Sequence, residues 1–381
     1  VKELDWGFIR PRRRTDRTLA YAQAQWTMEF IIERKGFGTI RRMLRGFADG
    51  LNQAEVFRNV VGMDEKQFDK AFAAWAKEKV IEWGFDPDPL PELKPTAAQA
   101  KLKPLDAAVQ AKYALALYTA GSRNRSKAIK AARDALDIDP NNTRALGVLA
   151  MCLRDDKKYD RAIDAARRLE HAETASPLAA RVLAECYLEK RSWANAIWAL
   201  ELLKQRRPMD PYSYRQLARL YKQLGQPDKE LPNLIHLHRH TMQDPQYARR
   251  IAEIYRSTGR DEPALSYFKQ IVRIDPYEAS AYEAMASIHV RAQRYERAIK
   301  AAKNVCLLQP KAAKSWNLMA VVRYRAGRAS NDREELLRAK SAAEKALEIE
   351  PTGKARQILQ YIEAVLEEAP NATDGVWRPQ G

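Results

Sequence analysis

Cysteine and histidine are both scarce in this sequence. Three cysteines in 381 residues are too few for a disulfide framework. The five histidines are His171, His236, His238, His240 and His289, and none is followed by glutamate. A zinc-hydrolase helix of the His-Glu-x-x-His kind therefore cannot be assembled from these residues. A Gly-rich phosphate loop, a Ser-His-Asp order and a Cys-His nucleophile pair are missing as well. No apolar run approaches the ~18 to 20 residues that a membrane-spanning helix needs. The chain opens at Val1 without an initiator Met, and Trp6-Gly7-Phe8-Ile9 is too short for a signal segment. The expectation is a fragment whose start lies upstream. With 46% hydrophobic and 30% charged residues, the chain has the makings of a water-soluble protein with two or more cores.

What is present is a period. Pro140, Thr174, Pro208, Met242, Pro276 and Pro310 stand 34 residues apart, the length of a helix–turn–helix unit that must stack on its neighbours to bury its apolar face. Counting back from Pro310, Tyr282, Met285, Ala286 and His289 form one helical stripe, and Ala298, Ala302 and Val305 a second. Ala248, Ile251, Ala252 and Tyr255 precede Ala264, Phe268 and Ile271 in the same register; so do Ala180, Leu183, Ala184 and Tyr187 before Ala196, Leu200 and Leu203. These residues resemble the tetratricopeptide repeat. The resemblance implies an all-α fold, a right-handed α-solenoid of helix pairs over residues 105–368 with about seven repeats and a capping helix, Gly353 to Glu368. Cys152 and Cys186 share one repeat position. At the roughly 8–10 Å between stacked helices they lie beyond the ~7 Å Cα limit for a bridge, and reduced buried thiols are expected.

Before the repeats, a helix is expected from Asp16, with Leu19, Ala22, Trp26 and Phe30 on its inner face and Gly36 as its stop. A second follows over Thr39 to Ala48, with Ile40, Met43, Leu44 and Phe47 inward. Asp64 with Gln67 reads as a capping box ahead of the stripe Phe68, Phe72, Trp75 and Trp83. The order Ala20-Tyr21-Ala22-Gln23, Glu29-Phe30-Ile31-Ile32, Gly36, Met43-Leu44 and Phe68 through Trp75 resembles the C-terminal helical part of gluzincin, peptidase-MA-like domains. Residues 1–83 are then a small helical remnant of such a domain. The family's zinc ligands would precede Val1, so no cofactor is expected here, zinc belonging only to an upstream part. Tyr21 is expected between two helices, short of the missing cleft. Residues 84–104, with Pro87, Pro89, Pro91, Pro95 and Pro104, read as a stiff linker. The seventh repeat is seven residues longer, with a surface excursion expected near Ser330-Asn331-Asp332, and residues 369–381 read as a disordered tail. The arginines from Arg10 to Arg17 read as a solvated loop. The compartment is open; an upstream signal peptide would place the protein in the bacterial cell envelope.

Residues 1–95 hold 17 of the 66 Lys and Arg and 15 of the 49 Asp and Glu, so +15 of the formal +17 falls on residues 96–381. In the repeat family, the second, fifth, ninth and twelfth positions of each first helix face the groove that takes extended peptides. Those positions give Arg144, Arg154, Arg181, Arg215, Arg219, Lys222, Arg249 and Arg256, set chiefly against Glu185 and Glu283. Arginine forks on rigid helices suit carboxylates and phosphates. The expectation is a non-enzymatic interaction scaffold whose basic groove binds acidic segments of a partner protein. A C-terminal piece of a zinc peptidase with substrate-recruiting repeats is the alternative. A nucleic-acid array is disfavoured, because stacking aromatics in the groove are sparse, Tyr324 excepted. The carboxylate clamp of some family members is not reproduced at Arg215 and Arg219. Of His236, His238 and His240 only two imidazoles can point together; His236 and His240, at i, i+4, are expected on a solvent face, without metal.

Overall fold

The computed structural model describes residues 16–86, 89–172, 176–241 and 244–368. The arginines Arg10 to Arg14, the ladder positions Thr174 and Met242 and the tail from Pro370 lie outside the described residues. Those described form twenty α-helices and no β-strand, an all-α repeat fold. They group into two compact units that divide in sequence between Ser213 and Tyr214.

The first unit opens with α1 (Asp16–Lys35), α2 (Phe37–Ala48), α3 (Gln53–Val56), a π-helical turn at Phe57–Val61, and α4 (Glu65–Glu82). Asp64 and Gln67 close a reciprocal capping box at the start of α4. The core is aromatic: Phe30, Phe57, Phe68 and Trp75 are buried together, with Phe30 and Phe68 edge to face at 5.3 Å. The Trp75 indole N–H donates to Glu33 Oε2 at 3.1 Å. Two inner faces differ from the sequence expectation. Helix α1 buries Ala20, Thr27, Phe30 and Ile31 and leaves Leu19 exposed, while Tyr21 is 65% exposed rather than packed between helices. Helix α2 buries Thr39, Met43 and Gly46, leaving Leu44 and Phe47 exposed. Gly46 sets that rotation, because Val56 and Leu51 approach within 3.3 and 3.4 Å of where its Cβ would be, and any larger residue would hold the chain off.

The segment 84–104 is not a plain linker. Helix α5 (Leu93–Leu102) occupies its second half, and Pro95 is tolerated as its third residue, where the N–H has no intrahelical partner. The buried Gln110 amide donates to Ala100 O at 2.9 Å and Lys103 O at 3.3 Å, tying the end of α5 to the first repeat. At the other end of the segment, Gly84 has φ +79, and a Cβ there would stand 2.0 Å from Arg206 O. Arg207 Nε donates to Gly84 O at 2.9 Å, and its guanidinium covers the Phe85 ring at 4.7 Å.

The first unit continues with α6 (Ala107–Thr119), α7 (Arg125–Ile138), α8 (Thr143–Asp155), α9 (Tyr159–Ala172), α10 (Pro177–Glu189) and α11 (Trp193–Arg206). Helix α12 (Pro211–Gln223) spans the division. The second unit follows with α13 (Pro227–His240), α14 (Pro245–Ser257), α15 (Asp261–Ile274), α16 (Ala279–Arg291), α17 (Tyr295–Leu308), α18 (Ala313–Ser330), α19 (Arg333–Ile349) and α20 (Gly353–Glu368). First helices begin at 143, 177, 211, 245, 279 and 313, each 34 after the last. The caps keep that period: the side chains of Asn142, Ser176 and Asp244 each accept a backbone N–H of the first turn. Ala162, Ala196, Ala264 and Ala298, one per repeat, are fully buried where the paired helices cross. In the second unit Ile362, Val365 and Leu366 of α20 join the core formed by Met319, Ala320 and Leu336.

The seventh repeat spends its extra residues on helix rather than on an excursion. Helix α18 has 18 residues and α19 has 17, against 13 and 14 in α16 and α17. The inserted residues are mostly good helix formers, so extending both helices costs little. Gly327 lets the longer hairpin close, since a Cβ there would lie 2.9 Å from Leu336 Cγ.

The hairpins of repeats two to six each turn through one left-handed residue. Lys157, Arg191, Gly225, Gly259 and Gln293, again 34 apart, have φ between 55 and 72. The following N–H of Lys158, Ser192, Gln226, Arg260 or Arg294 donates back to the residue five earlier at 2.8–2.9 Å, the bond of a Schellman cap. A Cβ at Gly225 or Gly259 would meet nothing within 4 Å, so its cost is conformational alone. Gly225→Ala and Gly259→Ala are each expected to lower unfolding free energy by about 1 kcal/mol in urea titrations. Gly353→Ala, equally open but at ordinary φ, should cost nothing; equal losses at all three sites would refute the assignment.

Candidate functional site

The eight groove residues fall in both units, and their surroundings differ. In the first unit, Arg144 is exposed on α8, while Arg154 and Arg181 are consumed by neighbours. Arg154 pairs with Asp155 and Glu185, both at 2.6 Å, and donates to the Tyr118 hydroxyl at 3.2 Å. Arg181 donates to Glu185 Oε1 at 2.5 Å, reaches Asp210 Oδ2 at 3.5 Å, and lies 3.3 Å over the Tyr212 ring. Burial alone would pull the Arg154 pKa down, but the Asp155 and Glu185 carboxylates hold it above its ordinary value; burial also pushes Tyr212 up to about 12. These groups form a polar ladder along consecutive first helices, and the expectation of two free arginine forks is corrected by the carboxylates that hold them.

The second unit leaves the bases of α12 open. A cleft of about 410 Å³ is lined by Arg215, Ala218, Arg219 and Lys222 of α12, Glu230, Leu234 and Leu237 of α13, and Gln246, Tyr247, Arg249, Arg250 and Glu253 of α14. Arg215, Arg219 and Lys222 are exposed, and among the described residues none of the three has a carboxylate partner; Arg219 only grazes Gln216 Oε1 at 3.5 Å. Arg249 pairs with Glu278 at 2.6 Å. The Ser280 hydroxyl and Arg249 hold the Glu278 carboxyl below its ordinary value, against burial. Arg256 is exposed farther along α14.

Five polar lining residues are absent from the sequence analysis: Glu230, Gln246, Tyr247, Arg250 and Glu253. Glu230 and Arg250 form a two-pronged ion pair, Nε to Oε1 and Nη2 to Oε2, both at 2.8 Å. That bond holds the Arg250 pKa above its ordinary value. Glu230 is 2% exposed and occupies the helix-crossing position that is Ala162, Ala196, Ala264 and Ala298 in other repeats. Arg250 stands where Val148, Val182, Gln216, Ala284 and Leu318 stand, none of them charged. Comparing residues 34 apart would have exposed both, because paired departures from a repeat pattern mark a site where local rules are broken for a reason. Helix α13 departs further: Pro232 lies inside it, and Asn233 and His238 are buried.

Other candidates are spent. His238 points inward, its Nε2 at 2.9 Å from Gln270 Oε1, while His240 is exposed. His236 stacks on Tyr214 at 3.6 Å. Among the described residues no group of three His, Cys, Asp or Glu is placed to hold a metal. Burial pushes the thiols of Cys152 up to about 12 and of Cys186 and Cys306 up to about 11, which makes them inert. A hollow of about 420 Å³ beside Trp316 and Lys345 has its arginines, Arg323 and Arg338, held by Glu335 at 2.7 and 2.9 Å.

Two tetratricopeptide-repeat family models match this chain, one over residues 113–177 and 283–346, the other over 250–278. The chain carries tetratricopeptide repeats. No curated protein sequence matches it. Among solved structures it is similar to YrrB, described as a TPR protein with an unusual peptide-binding site, at 18% identity over 48% of this chain and 94% of that one, TM-score 0.37. It is similar to the C-terminal part of a TPR repeat-containing protein from Cytophaga hutchinsonii, at 17% identity over 65% and 99%, TM-score 0.39. It is also similar to MamA from Desulfovibrio magneticus RS-1, at 19% identity over 41% and 85%, TM-score 0.36.

The Glu230–Arg250 pair yields a direct test. Arg250→Ala strands a buried carboxylate and is expected to cost about 3–5 kcal/mol by denaturant unfolding. The double change Glu230→Ala with Arg250→Val restores the Ala162 and Ala196 type at one position and the Val148 and Val182 type at the other and should recover most of that loss. A double variant as unstable as the single one would show that the pair is not an isolated exchange.

Proposed function

We propose that this chain, whose tetratricopeptide repeats are the premise, is a protein-interaction scaffold that receives acidic peptide segments in the cleft of its second unit. One observation carries the reading: Arg215, Arg219 and Lys222 stand exposed on one helix, facing a shared hollow with Arg249, and no carboxylate among the described residues pairs with the first three. Long basic side chains held on a rigid helix raise the local concentration of an anionic ligand and lose little freedom on binding it. Guanidinium forks also favour the planar carboxylate. The floor of Leu234 and Leu237 gives apolar contact beneath the charges.

The first unit enters the reading differently. Its groove arginines Arg154 and Arg181 already satisfy Glu185, Asp155 and Asp210, so an acidic ligand there would have to displace internal partners. The specific contribution is therefore assigned to the second unit. The chemistry is recognition, with no reaction step required of these residues.

The double change Arg215→Glu with Arg219→Glu is expected to weaken binding of a fluorescently labelled Asp/Glu-rich peptide by tenfold or more and to flatten its salt dependence. Lys300→Glu, an exposed reversal on α17, should leave both unchanged. Equal weakening by both variants would reduce the effect to net charge, and equal affinity for polyuridylate and peptide would transfer the site to nucleic acid.

A further inference from the structure

The four groove positions of the second unit do not carry the same chemistry along their length. On α12 and α14 they hold Arg215, Arg219, Lys222, Arg249 and Arg256 against Glu253, with Tyr212 and Gln246 uncharged; Arg249 is paired with Glu278, and the other four bases have no carboxylate partner among the described residues. On α16 and α18 they hold Ser280, Glu283, Ser287 and Val290, then Lys314, Asn317, Val321 and Tyr324. The charges in this second group, Glu283 and Lys314, pair with each other at 2.6 Å. Val290 and Tyr324 pack at the edge of the core, and Ser287, Val321 and Tyr324 keep partial exposure. One helix row is therefore basic for two repeats and effectively neutral, with apolar and hydroxyl groups, for the next two.

We infer that the ligand is a two-block segment, acidic where it meets α12 and α14 and apolar where it meets α16 and α18. This rests on the reading of the basic cleft as a peptide site. Stacked helices advance about 8–10 Å per repeat and an extended chain about 3.3 Å per residue, so roughly three ligand residues face each repeat. A uniformly acidic segment would carry its second half over Val290, Val321 and Tyr324, where its charges lose water and gain no partner. A uniformly apolar segment would leave the arginines of α12 desolvated and unpaired. Block order therefore matters more than composition, and the direction of the ligand chain is free.

The experiment compares three labelled peptides on the whole chain: an acidic run joined to a Leu/Val/Tyr run, the same residues interspersed, and the acidic run alone. The block peptide is expected to bind about tenfold more tightly than either other, the worth of one buried aliphatic side chain. Ser287→Glu, and separately Val321→Glu, should remove that advantage while leaving the acidic peptide's affinity unchanged. Circular dichroism checks folding, and Ser287→Glu serves by itself if Val321→Glu unfolds. Equal binding of all three peptides, still abolished by reversing Arg215 and Arg219, would overturn the two-block inference and leave the acidic-peptide reading standing. Binding indifferent to Arg215 and Arg219 would sink both.

Discussion

Neither helix of a hairpin this short can cover its own apolar stripe, and that constraint governs the rest of the molecule. Each pair is stable only against the next, so the residues at helix crossings answer to two neighbours at once. Alanine at positions 162, 196, 264 and 298, fully buried, lets the helices approach closely. Added methylenes there would force them apart at a cost of about 1–3 kcal/mol. The same constraint makes the turns uniform. A left-handed residue recurs at 157, 191, 225, 259 and 293, because the second helix must fold back at one fixed angle to reach the first. Only two of those five are glycine, so packing overrides local preference at Lys157, Arg191 and Gln293.

Repeat four breaks the rule at its most restrictive position. A carboxylate replaces the alanine at Glu230, and it survives burial because Arg250, on the next first helix, brings both prongs of its guanidinium to it. The exchange trades close packing for a fixed charge pair. Beside that pair lies the cleft whose wall carries Arg215, Arg219 and Lys222. The cleft is thus lined by a local departure from the repeat.

Net charge alone says little about where an anion would bind. The repeats carry most of the basic excess, yet in the first unit Arg154 and Arg181 meet Glu185, Asp155 and Asp210 and are neutralised in a ladder between neighbouring helices. In the second unit the bases of α12 lack such partners among the described residues. What separates the two is the register of the acids. Glu185 faces arginines on both sides of it, whereas Glu230 and Glu278 are taken up by Arg250 and Arg249 and never reach Arg215.

The sequence by itself determined the period, the helix pairs and most of the core, since the 34-residue spacing and the stripes such as Ala180, Leu183 and Ala184 are properties of residue order. It also determined which residue types stand at groove positions. Tertiary structure alone decided which of those charges are free, because pairing depends on distances between residues some 30 apart, as for Arg154 with Glu185 or Arg249 with Glu278. It decided the rotation of α2 as well, where a glycine's missing Cβ outweighed the exposure of Leu44 and Phe47. Helix α5 within a proline-rich stretch was hidden for a related reason: a proline in a first turn costs nothing, and the contact that ties the helix to the repeats is made by Gln110, beyond its end. Periodicity is written along the chain; charge compensation and close approach are written between its segments.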